Sequence, residues 1–200
     1  MTRGLSKPEG AAASAGADSG AGSVGAHSVP PRVVSTAGAV DLLRRLTPRH
    51  GALMLHQSGG CCDGSAPMCY PDSDFIIGDR DVLLGVLDLR MSPGDISSDA
   101  PQGADAVPVW ISGPQFAAWQ HTQLVLDVVP GRGSGFSVEA PEGVRFLSRG
   151  RAFDSDELDA LLQQPALTGR DWESGARPAL SLQPTVVATA VDACPVPVRR

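Results

Sequence analysis

The sequence predicts an α+β fold: one N-terminal helix packed on a sandwich of short, mainly antiparallel strands, flanked by disordered ends. Three observations carry this expectation. A helical apolar period occurs early, with Ala39, Leu42, Leu43 and Leu46 at i, i+3, i+4 and i+7. Short Val/Leu-rich runs then recur, separated by Gly, Pro and Asp turns. Glycine (23) and proline (17) make up one residue in five of 200, against about 12% ordinarily, so part of the chain is expected to lack a core.

Residues 1–31 are expected to form a disordered arm. Sixteen of the twenty residues from Glu9 to Ser28 are Ala, Gly or Ser, too little apolar surface to offset ordering at about 1–2 kcal/mol per residue. Residues 32–153 are expected to form one globular domain. Its helix is capped by Ser35 or Thr36 and leaves through Pro48 and Gly51, with Arg44, Arg45 and Arg49 near its C-terminal dipole. Strands are predicted at Ala52–His56, Asp74–Ile77, Val82–Leu89, Val107–Ile111, Gln123–Val129, Gly135–Glu139 and Val144–Leu147. A polar excursion spans Met91–Ala106, a short helix Pro114–Trp119, and a turn Ala140–Gly143. Residues 154–163 suggest a further helix, capped by Asp154 or Ser155 with Leu158, Leu161 and Leu162 as its stripe. Residues 164–200, with scattered prolines and no sustained period, are expected to be a disordered tail.

Charge and hydropathy exclude several classes. A net charge of −6 and a pI near 5.1 do not supply the basic face that nucleic acid requires. No apolar run approaches the roughly 18 residues that span a bilayer. The first residues lack the apolar segment of a secretory signal, so a cytoplasmic location is expected, where clustered cysteines point to metal or catalysis ahead of disulfides.

The segment from His56 to Cys69 holds the densest chemistry. Cys61, Cys62 and Cys69 fall within nine residues, bordered by Gly59, Gly60 and Gly64, with His56 five residues ahead of Cys61. One or both adjacent cysteines with Cys69 and His56 would supply soft or borderline ligands for a zinc, iron or copper ion. Asp63 and His121 are the available fourth ligands. The same residues allow a thiolate nucleophile with a histidine partner, or buried cysteines that only fill a core. Cys194 stands alone and is given no role.

Other features read as structural. Gly131-Arg-Gly-Ser-Gly-Phe136 is followed by a strand pattern instead of a helix, so a hairpin is expected there and not a phosphate loop, with Arg132 at its tip. Asp72, Asp74, Asp79 and Asp81 read as turn and strand-edge positions, and Trp110 and Trp119 as core anchors.

The run from Gly51 to Tyr70 (Gly-Ala-Leu-Met-Leu-His-Gln-Ser-Gly-Gly-Cys-Cys-Asp-Gly-Ser-Ala-Pro-Met-Cys-Tyr), with Gln123–Glu139 (Gln-Leu-Val-Leu-Asp-Val-Val-Pro-Gly-Arg-Gly-Ser-Gly-Phe-Ser-Val-Glu), resembles the bacterial family named domain of unknown function 779. The resemblance covers about Val33–Phe153. It implies company with aldehyde dehydrogenases, and so an accessory role in aldehyde or alcohol oxidation. A more distant similarity is to HesB-like, A-type iron–sulfur assembly domains, in the order of helix, strand, glycine-bordered cysteine loop and Gly133-Ser-Gly-Phe136 turn. It implies the sandwich fold, and it places Cys61 at that family's loop cysteine. That family's C-terminal Cys-Gly-Cys has no counterpart, since residues 70–193 contain no cysteine; an iron–sulfur cluster is therefore an expectation with only one matching ligand. Three functions follow: a soft-metal or thiol accessory protein serving an aldehyde dehydrogenase, a Cys/His enzyme acting on a small aldehyde, or a non-catalytic interaction module.

Overall fold

A computed structural model describes residues 29–58, 66–133, 135–179 and 182–194; the arm up to residue 28 and the loop cysteines Cys61 and Cys62, with Asp63, lie outside them. The first described element is β1 (Val33–Thr36), where successive β-branched residues lie in extended backbone. Thr36 ends that strand and caps α1 (Ala37–His50), its side chain accepting from the Ala39 N–H at 3.3 Å. The predicted stripe, with Val40, is buried, and Gly51 closes the helix at φ 75°, a left-handed value that glycine tolerates. Pro48 sits inside the last turn instead of beyond it.

Six further strands follow before the C-terminal segment: β2 (Leu53–Gln57), β3 (Met68–Pro71), β4 (Val82–Asp88), β5 (Ala106–Ile111), β6 (Thr122–Pro130) and β7 (Val144–Ala152), with α2 (Gly113–Trp119) between β5 and β6. α3 (Ser155–Leu162) is capped by Asp154, one of the two predicted caps, in a capping box with Glu157. α4 (Gly169–Glu173), β8 (Val186–Val187) and α5 (Ala190–Ala193) follow.

The described strands form two four-stranded sheets, ordered β7-β6-β1-β8 and β3-β2-β5-β4. Both sheets are mixed, with the longer ladders antiparallel and the shorter ones parallel. β1 runs parallel to β6 and β8, and β2 parallel to β5, while β2–β3, β4–β5 and β6–β7 are antiparallel. The α1 connection carries the chain from one sheet to the other, so β1 and β2, neighbours in sequence, lie in different sheets. The main core joins the α1 stripe to inward residues of both sheets: Val33, Leu124, Leu126 and Phe146 from one, Leu53, Leu55, Val109 and Ile111 from the other.

Three expectations change. Asp74–Ile77 is not a strand, because β3 has already taken the edge of β2; Phe75 and Ile77 pack on the outer face while Ile76 is exposed. Gly135–Glu139 is a turn segment that touches β3 through the Val138 N–H to Cys69 carbonyl bond at 3.1 Å, without joining a ladder. The segment expected to be a tail packs on the sheets. Leu83 N–H donates to the Leu167 carbonyl at 2.8 Å, Trp172 meets Trp110 edge-on at 5.7 Å between ring centres, and β8 extends the first sheet beside β1. Short elements spaced by prolines carry no period for a sequence to display. No described helix is long and apolar enough to cross a membrane.

Candidate functional site

Alternation along β2 sorts the predicted site residues. Leu53 and Leu55 face the core between the sheets, whereas Met54 joins the outer cluster of Leu83, Val86 and Trp110. His56 therefore lies on the outer face, paired in register with Met68 and Trp110. Cys69 pairs with Leu55 and belongs to the inner core. The two described members of the predicted ligand set thus stand on adjacent strands but on opposite faces of one sheet. Among the described residues, no three His, Cys, Asp or Glu side chains gather where they could hold a metal ion.

His56 is 3% exposed and polar on both ring nitrogens. Nδ1 lies 2.9 Å from Ser58 Oγ. Nε2 lies 3.1 Å from Asp81 Oδ2, within ion-pair range, although no well-aligned hydrogen bond closes that gap. Asp81 Oδ2 also accepts the Gly78 N–H at 2.8 Å, which fixes the carboxylate against the turn that precedes β4. Phe75 covers the imidazole at 4.5 Å between ring centres and stacks on Tyr70 at 4.8 Å. Burial pushes the imidazole pKa down, and the Asp81 charge recovers only part of that shift. The neutral ring this favours can accept a proton or a hydrogen bond at one nitrogen while donating at the other.

Cys69 is set for the opposite role. It is fully buried, and burial, reinforced by the neighbouring Glu139 carboxyl, pushes its thiol far above the ordinary range. Such a thiol stays protonated and unreactive. Its backbone is clasped by the segment after the glycine-rich turn. The Cys69 N–H donates to Ser137 Oγ at 2.7 Å, and Ser137 in turn donates to Glu139 Oε2. Glu139 is 1% exposed, and the Phe146 backbone of β7 is near enough to act on its carboxyl. Burial raises its pKa against the lowering effect of those donors.

Asp81, Ser58, Ser137 and Glu139 are site residues that the sequence reading missed. Asp81 reads in sequence as one of four turn or strand-edge aspartates, and the order β2-β5-β4 brings it to His56. Glu139 was placed in a strand; its burial follows from the turn that folds back onto β3. His121 is exposed at the start of β6 and Trp110 is buried as expected.

Curated proteins and solved structures give no match to the chain. The family model described as a domain of unknown function, DUF779, matches residues 42–152, from inside α1 to the end of β7, and so takes in β2 to β7, with His56, Cys69, Asp81 and Glu139, but not β1 or β8. With more than half of its length matched, the chain belongs to the DUF779 family.

Proposed function

We propose that the chain is a thiol-centred accessory protein whose soft-metal or nucleophilic sulfur is supplied by Cys61 and Cys62, acting in the cytoplasm beside an aldehyde dehydrogenase. The observation that carries this reading is the buried, carboxylate-backed imidazole of His56 at the end of β2, five residues ahead of Cys61. A neutral histidine shortly ahead of clustered cysteines in sequence is the kind of partner that either a thiolate or a soft cation uses. Cys69 is removed from the chemical set and given a structural role, because its thiol is sealed in the core on the other face. Zinc, iron or copper remains the class of ion proposed for the loop. An iron–sulfur cluster and the HesB-like likeness carry less, since the further cysteines of that pattern are lacking from residues 70–193.

The test is genetic and biochemical together. A host carrying Cys61→Ser with Cys62→Ser is expected to lose growth on a primary alcohol while making the protein at wild-type levels. Cys69→Ala is expected to reduce protein level without a specific growth defect. Wild-type growth of the double variant on the alcohol would overturn the proposal in favour of a plain interaction module.

A further inference from the structure

Arg32 and Arg177 line a cavity of about 320 Å³ whose walls are otherwise largely apolar, Leu83, Leu84, Leu161 and Leu167 among them. Arg32 is half-buried at the entrance to β1. Its Nη2 donates to the carbonyls of Leu161 at 3.2 Å and Gln164 at 3.1 Å, and its guanidinium lies 5.5 Å from the centre of the Phe116 ring. Among the described residues its Nε and Nη1 meet no acceptor, and no carboxylate lies within 4.0 Å of it. Asp159, on the adjoining groove that Arg32 also borders, is not within ion-pair range. Burial alone acts on the Arg32 guanidinium and lowers its pKa, with no acidic neighbour to restore it. Among the described residues Arg177 is likewise without a carboxylate: it stacks on Trp172 at 3.8 Å and donates to the Trp172 and Ala176 carbonyls.

A half-buried cation with unspent donors on an apolar cavity is costly unless an anion completes it. We propose that this cavity binds a small amphipathic monocarboxylate, with its aliphatic chain among the leucines, its carboxylate on Arg32, and Arg177 as a second cation at the rim. The volume sits at the lower end of the range of about 300–1,000 Å³ typical of ligand pockets, which limits the ligand to a short or medium chain. With Nη2 given to the two carbonyls, Arg32 offers its charge and single N–H bonds from Nε and Nη1 to a carboxylate, whereas inorganic phosphate would leave the leucine walls unfilled. Carboxylate binding here does not depend on the sulfur chemistry of Cys61 and Cys62.

Isothermal titration of the full chain with octanoate, and with 1-octanol as its uncharged counterpart, tests the proposal. Octanoate is expected to bind at least tenfold more tightly than octanol. Arg32→Gln abolishes that difference, Arg32→Lys keeps part of it, and Arg177→Gln narrows it. Ala166→Leu, which narrows the cavity without touching either arginine, weakens octanoate tenfold or more and stands in if Arg32→Gln fails to fold by circular dichroism. Equal affinity for octanoate and octanol, no octanoate binding, or wild-type octanoate affinity in the folded arginine variants would overturn it.

Discussion

At the scale of single residues, two buried titratable groups report on the site from opposite directions. His56 is held below its ordinary pKa by burial, and Asp81 opposes that shift. Asp81→Asn should therefore lower the His56 midpoint further in an NMR titration of its ring protons; an unchanged or higher midpoint would remove Asp81 from the site. Glu139 is raised above its unfolded value. The folded state then holds its proton longer than the unfolded chain, so its favourable contribution is complete below the unfolded pKa and is lost as pH rises through the folded one. Glu139→Gln should remove that loss. Urea unfolding at pH 4.5 and 7.5 should show the variant gaining on the wild type at the higher pH. Sequence spacing placed His56 and Cys69 in one ligand set because a count of residues does not show faces. Strand alternation and the Leu55–Cys69 register separate them.

Among the elements, those with strong local signals were legible. α1 and α3 carry side-chain caps and apolar stripes that need no tertiary context. β4, β5 and β6 are long apolar or alternating runs and were found within a residue or two. β1, β3 and β8 have two to four residues each and owe their order to a neighbouring strand that supplies their hydrogen bonds. Close backbone approach marks where the C-terminal segment is fastened. A Cβ on Gly169 would lie 2.2 Å from the Gly78 carbonyl oxygen, and one on Gly85 would lie 2.7 Å from the Pro184 ring. Gly169→Ala meets backbone that cannot step aside, so it should cost more stability than Gly85→Ala, which meets a side chain. Thermal unfolding of the two variants checks this order.

For the molecule as a whole, the segment after α3 completes the structure instead of trailing from it. Leu167 and Trp172 cover the outer face that carries Met54, Leu83 and Trp110, and Ala193 covers Val34 and Val125 on the other sheet. A chain ending after Gln163 should lose several kcal/mol, about 2–4 °C of Tm for each at this size, and should disturb the environment of His56 through the same outer cluster. The measurement that bears most directly on the proposed sulfur chemistry is site-resolved alkylation of the native protein with iodoacetamide at pH 6.5, with a chelator present and mass spectrometry as the readout. Cys61 or Cys62 should be modified rapidly in the folded protein, and Cys69 only after denaturation. Inert Cys61 and Cys62, or native modification of Cys69 at a comparable rate, would contradict the account.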